Sequence, residues 1–199
     1  SVTMKDGESI WNPAWQPVKA DLDSYECHHG LGYSRFVSSK DGLNADLTAF
    51  VPLHETCEIN YLKLRNDSDK EKSISLTSYV EFCFWNAVDD ATNFQRNLSI
   101  GEVEIDGSTI YHKTEYRERR NHYAFYTVNT PINGFDTSRD EFLGAYGSIE
   151  HPKAVVEGTS YNTVASGGAV IGSHRIDLTL APGEEKTYIF LLGYAENDD

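Results

Sequence analysis

In residues 174–180 (HRIDLTL) apolar side chains occupy every second position, and after 181–185 (APGEE) comes a second strand-like run, 187–193 (TYIFLLG). A period of two puts one set of side chains on each face of an extended strand, and Pro followed by Gly sets a turn, so the pair reads as a β-hairpin. The same grammar recurs along the chain. Residues 32–38 (GYSRFVS) and 43–51 (LNADLTAFV) flank a Lys40–Asp41–Gly42 hairpin turn, 57–64 (CEINYLKL) alternates, and 66–70 (NDSDK) is a charged turn. Residues 73–85 (SISLTSYVEFCFW) read as one long strand with Ile74, Leu76, Ser78, Val80, Phe82 and Phe84 on one face. Further strands are expected at 101–105, 109–114, 123–128 and 155–158. Helical periodicity is scarce, and the pattern is that of an all-β, antiparallel sandwich or barrel. Residues 11–29 and 130–153 resist a strand reading, and loops of that length are usually functional or packed against another part of the molecule.

A chain of 199 residues can bury a sizeable core as one domain. Its 17 basic against 31 acidic residues give a net charge of −14, which repels phosphate backbones and anionic membrane surfaces, so neither nucleic acid nor membrane is an expected partner. No run approaches the roughly 18 apolar residues that span a bilayer, and the amino terminus lacks a signal-peptide pattern, which leads to the expectation of a cytoplasmic protein. Cys27, Cys57 and Cys83 are an odd number without a C-x-x-C pair, and they read as buried free thiols. The start at Ser1 and the stop at Asp199 suggest a piece of something longer.

Several stretches carry ligand-type side chains. Glu26–Cys27–His28–His29 holds metal-ligand atoms in a row, but neighbouring histidines on an extended chain point to opposite faces and no further partner completes a shell, so no metal is expected. Gly167–Gly172 has neither Walker nor dinucleotide spacing and reads as a turn or a close backbone approach. Arg117, Arg119 and Arg120 concentrate positive charge in an acidic chain, which suits pairing with its own carboxylates or binding of an anion or sugar. Trp11 and Trp15 sit on a proline-stiffened segment, and packing against a neighbouring domain is favoured over stacking on a sugar. Residues 85–97 (WNAVDDATNFQRN) gather Asn86, Asp89, Asp90, Asn93, Phe94, Gln95 and Arg96. That is the amide, carboxylate and aromatic set that reads sugars, and it is equally the composition of a solvated loop.

Four longer words, IWNPAWQPVKADLDSYECHHGLGYS, SYVEFCFWNAVDDATNFQRN, YHKTEYRERRNHYAFYTVN and GFDTSRDEFLG, occur in this order. Together they resemble the amino-terminal region of the cellobiose phosphorylase family of inverting glycoside phosphorylases, which includes the cellodextrin and chitobiose enzymes. The likeness runs over about residues 10–194. It implies a large antiparallel β-sandwich, the super-sandwich of galactose-mutarotase-like proteins, filling residues 1–199 as a single domain of a larger enzyme. The helical linker, the (α/α)6 catalytic barrel and the small carboxy-terminal β-domain would lie outside the chain.

The resemblance also implies the chemistry: cellobiose and inorganic phosphate give glucose 1-phosphate and glucose with inversion. One carboxylic acid suffices, because phosphate replaces the water and base of an inverting hydrolase, and that acid is expected in the barrel. No catalytic residue, cofactor or metal is then expected here; phosphate is a co-substrate, and the isolated domain should be inactive. Family members are similar in forming homodimers in which a sandwich loop reaches the partner barrel. By that match Asn93, Gln95 and Arg96 would line the acceptor subsite for cellobiose or glucose, with Asn86 and Phe94 shaping the loop. His28 replaces an arginine expected in the family. The alternatives are the same domain of a cellodextrin phosphorylase, or a non-catalytic carbohydrate-binding or structural sandwich.

Overall fold

The computed structural model describes residues 1–82, 101–114, 122–166 and 169–196. They form two antiparallel sheets facing each other across one main core. The larger sheet runs in the order β3 (Ser24–Gly30), β4 (Tyr33–Lys40), β5 (Leu43–Phe50), β6 (Cys57–Asn66), β14 (Glu185–Glu196), β11 (His122–Val128), β10 (Thr109–Thr114), β9 (Gly101–Asp106). The smaller one runs β12 (Gly134–Ser138), β13 (Val170–Leu180), β7 (Lys72–Ser78), β1 (Val2–Asp6), β2 (Ser9–Trp11), with β8 (Val80–Glu81) also paired to β13.

The alternation seen in the sequence supplies the core. Leu43, Ala45 and Leu47 of β5, Leu62 and Leu64 of β6, and Tyr188 and Phe190 of β14 meet Ile74 and Leu76 of β7 and Ile176, Leu178 and Leu180 of β13. Fully burying a side chain of this size contributes about 1.5 to 3 kcal/mol, so facing rows of such residues hold the sheets together. The β4–β5 hairpin turns at Asp41 and Gly42, both with positive φ (51° and 77°), as the Asp–Gly pair suggests.

Several expectations are corrected. The closing pair is not a hairpin: β13 belongs to the smaller sheet and β14 to the larger, so the Pro182–Gly183 turn is a corner between sheets. Buried Asn66 fixes that corner, donating from Nδ2 to Leu180 O (2.9 Å) and Lys70 O (2.7 Å) while its own carbonyl accepts from Gly183 N (2.7 Å). The long strand at 73–85 breaks at Tyr79. There the Ser78 hydroxyl, in place of a ladder carbonyl, accepts the His174 N–H (3.1 Å), although the pairing with β13 resumes in the same register at Val80.

Residues 155–158 are not a strand. They belong to a short helix, Lys153–Glu157, which starts after Pro152 and closes on Gly158 in the left-handed region (φ 63°). With the preceding helix, Arg139–Leu143, it forms a second cluster in which Phe142, Leu143, Ala154 and Val155 pack with Tyr79 and Ile171. Two segments that resist a strand reading contain strands: 134–138, within 130–153, is β12 against β13, and 24–29 lies in edge strand β3, exposed along its whole length, so no buried face wrote an alternation into its sequence. Trp11, finally, is buried in the domain's own core (1% exposed), while Trp15 of the same segment reaches the surface.

Candidate functional site

Asn86, Asn93, Phe94, Gln95 and Arg96 lie outside the described residues, as do Asp89, Asp90, Cys83, Arg117, Arg119, Arg120, Gly167 and Gly168. What the structure describes is the ground from which these stretches spring. The stretch 83–100 leaves after β8 and returns at Gly101, which pairs with Thr114; the stretch 115–121 leaves after that same Thr114 and returns at His122. Both are therefore rooted at one end of the sheet edge formed by β9, β10 and β11.

The root is held by polar and aromatic contacts. Tyr79 stacks on Phe142 (5.0 Å between ring centroids), and its Oη donates to Glu81 Oε1 (2.5 Å), which also accepts from Arg139 Nε (3.0 Å). Burial pushes the Glu81 carboxyl up, but the hydrogen bonds from Tyr79 and Arg139 outweigh it and leave the group below its ordinary value. Next along the chain, Phe82 lies against His112 (5.6 Å). His174 is wholly buried beside Tyr126 (4.7 Å) with Nδ1 3.0 Å from Ser78 Oγ. Burial lowers both histidines from 6.5 to about 4, so each is a neutral ring at neutral pH.

Above this root lies a cleft of about 470 Å³. In register, Glu102 sits opposite Lys113, Lys113 opposite Tyr123, and Glu104 opposite Tyr111, so these five side chains share the face turned away from the core. The Lys113 ammonium lies 5.9 Å from the centroid of the Tyr123 ring. Val103, Ala165 and Ser166 complete the lining. Ala165 is fixed in place, because its N–H donates to Thr137 Oγ1 (2.8 Å), which donates to Thr163 O (2.8 Å). Behind it the fully buried Asp136 accepts from Tyr161 N (3.1 Å) and from Thr163 N (3.3 Å) and Oγ1 (3.0 Å).

Residues 2–199 match the model of the glycosyl hydrolase 94 supersandwich domain. The chain belongs to this family. It is 32% identical over 98% of its length to a solabiose phosphorylase of Paenibacillus borealis, and 33% identical over 99% to an N,N'-diacetylchitobiose phosphorylase of Vibrio proteolyticus. It spans about a quarter of each relative, 26% and 25% respectively. Among solved structures, a bacterial glucoamylase complexed with acarbose superposes with a TM-score of 0.61 at 13% identity, covering 99% of this chain and 26% of that one, and so shares the fold.

In this supersandwich domain the row Glu26–Cys27–His28–His29 divides between two faces. His28 Nε2 approaches Glu26 Oε2 (3.1 Å), and Cys27 Sγ approaches His29 Nε2 (3.3 Å), whose Nδ1 meets Ser34 Oγ (2.9 Å). Each face thus has two donors, and no group of three or more metal-ligating side chains occurs among the described residues. Cys27 is exposed and Cys57 half-buried, contrary to the expectation of buried thiols, because β3 has no covering layer and Cys57 opens β6 at the sheet margin. The close approach expected near Gly172 is present: a Cβ there would stand 3.1 Å from the Tyr126 ring and 3.2 Å from both Phe82 and Val80. No helix of the described residues is long and apolar enough to cross a membrane.

Tyr111, Lys113 and Tyr123 do not stand out as site residues in the sequence. Their signal was present as polar and aromatic residues at the outward positions of two alternating strands, but an outward face in a strand pattern does not show what lies above it.

Proposed function

We propose that this supersandwich is the amino-terminal domain of a disaccharide phosphorylase, and specifically of one that converts cellobiose and phosphate to glucose 1-phosphate and glucose. The observation that carries the reading is the match over residues 2–199 to the family domain, with phosphorylases as relatives along the same length. The catalytic acid would lie elsewhere in the parent polypeptide, and the isolated domain would be inactive, with phosphate a co-substrate and no cofactor required. In the cytosolic homodimer we infer, Asn93, Gln95 and Arg96 line the acceptor subsite of the partner barrel, with Asn86 and Phe94 shaping the approach. Gln offers a donor and an acceptor to adjacent hydroxyls, and Arg a fixed fork of donors. The anchored root supports this, since a loop that reads a sugar gains from a fixed base.

The test is Arg96→Ala in the full-length enzyme, assayed in the synthetic direction with glucose 1-phosphate and a panel of acceptors that includes glucose, cellobiose and N-acetylglucosamine. Glucose should be the preferred acceptor. The variant should lose about 1 to 3 kcal/mol in kcat/KM for it, the range for a charged hydrogen bond. An unchanged acceptor KM and rate would overturn the assignment of Arg96, and preference for another acceptor would overturn cellobiose.

A further inference from the structure

We propose that the cleft between β9, β10, β11 and Ala165–Ser166 is itself a carbohydrate-binding site, for a neutral mono- or disaccharide. Its volume of about 470 Å³ falls within the size range of small-molecule sites. Its chemistry is that of a sugar reader. Tyr111 and Tyr123, on adjacent strands and one register step apart, are half-buried and offer ring faces for the apolar side of a pyranose. Glu102 and Glu104 are exposed acceptors for hydroxyl hydrogens, and Lys113 and Ser166 can donate.

The charges of the described lining residues disfavour other small ligands. An anion such as phosphate would meet two carboxylates for one ammonium. A cation would find Lys113 already 5.9 Å from the centroid of one of the two tyrosine rings. A neutral polyhydroxylated ligand satisfies donors and acceptors together and brings no charge of its own.

The wall opposite the tyrosines is built, not incidental. Asp136 is wholly buried, and all the hydrogen bonds it accepts come from residues 161 and 163, so its carboxylate ties the strap that ends in Ala165–Ser166. Thr137 repeats the tie by accepting from Ala165 N. Burying a carboxylate costs free energy unless its hydrogen bonds compensate, and here that cost is spent on fixing one side of a cleft.

The site uses no residue of 83–100 and needs neither phosphate nor turnover, so its test stands apart from that of Arg96. The 199-residue chain, checked for folding by circular dichroism, is titrated with glucose and cellobiose and followed by amide chemical shifts and tyrosine fluorescence. Saturable binding with a millimolar Kd is expected, with shift changes centred on residues 102–113, 123 and 165–166. Tyr111→Ala or Tyr123→Ala should weaken it by at least ~10-fold and Tyr111→Phe by less than ~2-fold, because the ring face is retained. Glu104→Gln, at an exposed position where folding is not at stake, should weaken it about 3-fold or more. The proposal falls if no saturable binding is found up to about 100 mM sugar, where a useful site would already be full. It falls equally if the shift changes map elsewhere, if Tyr111→Ala, Tyr123→Ala or Glu104→Gln binds as the parent does, or if inorganic phosphate or tetramethylammonium occupies the cleft in preference to sugar.

Discussion

Replacing His174 by Phe tests whether the buried histidines set the acid limit of this fold. His174 is wholly buried against Tyr126 and within 6.5 Å of Phe190, in ring contacts that a phenyl group can keep. Burial lowers its pKa from 6.5 to about 4. For a base with a depressed folded pKa, the unfolded chain takes up a proton below pH 6.5 that the folded chain refuses until about pH 4, so stability present above that window is lost as pH falls through it. Integrating between pH 7 and pH 5 gives a loss of about 2 kcal/mol from this one residue. His112, lowered to about 4 by its own burial, adds a loss of the same sign. The Phe variant gives up the contact between Nδ1 and Ser78 Oγ, about 1 kcal/mol, so it should be the less stable protein at neutral pH. Having one fewer titrating ring, it should overtake the parent near pH 5.7, where the proton linkage first exceeds that 1 kcal/mol. Urea unfolding of both proteins at intervals from about pH 7.5 to about pH 5, with m compared to confirm the same transition, reads the crossing directly. Parallel stability curves, with no narrowing of the gap as pH falls, would refute the reasoning, because they would mean that His174 takes up its proton in the folded state as readily as in the unfolded one.

Two further substitutions test the frame around the site. Asn66→Ala removes both Nδ2 hydrogen bonds at the corner, the buried one to Leu180 O and one to Lys70 O, which keeps its bond from Ser68 Oγ (3.0 Å), and should cost about 1 to 3 kcal/mol in urea unfolding; a loss below about 0.5 kcal/mol would show that the turn closes without it. Gly172→Ala pushes a methyl to 3.1 Å from Tyr126 and 3.2 Å from Phe82 and Val80, and should destabilise by about 1 to 3 kcal/mol with loss of near-ultraviolet aromatic dichroism; an unchanged unfolding midpoint would show that Phe82 yields freely.

The strands legible in the sequence were those with one buried and one solvated face, since only that environment writes a period of two. Residues 43–50 and 109–114 are of this kind, and each was found close to its true bounds. Edge strand β3 faces nothing on either side, so SYECHHG carries no alternation. The corner at Pro182–Gly183 shows a different limit. Turn chemistry fixes where a chain reverses, but whether the next strand pairs with its predecessor or crosses to the facing sheet depends on distant partners, here Asn66, which is 114 residues from Leu180 in sequence. Residues 155–158 are ambiguous locally for a related reason: two adjacent valines favour a strand, while Pro152 and Gly158 at their flanks fit a single helical turn that buries Ala154 and Val155. The cleft was the least legible element, because it joins outward positions of three strands to a strap whose position is set by Asp136, and no short window of sequence spans them.

The distribution of arginine connects these findings. The described arginines, Arg35, Arg65, Arg139 and Arg175, are each engaged with a carboxylate, on Asp46, Asp67, Glu81 and Asp177 respectively. Such pairs are partly exposed and add little stability, but they do neutralise the side chains most suited to binding phosphate. The chain's other arginines are Arg96, Arg117, Arg119 and Arg120, and they fall in the two stretches rooted side by side at the end of β9, β10 and β11. A protein with a net charge of −14 whose described guanidinium groups are already paired has little means on those surfaces of gathering an anion. It can still read hydroxyl groups, which need forks of donors, carboxylate acceptors and ring faces at one place. At that end of the larger sheet the structure sets Glu102, Glu104, Tyr111 and Tyr123 around a cleft. Under the function proposed above, the sandwich would handle the sugar and leave phosphate to the rest of the parent enzyme.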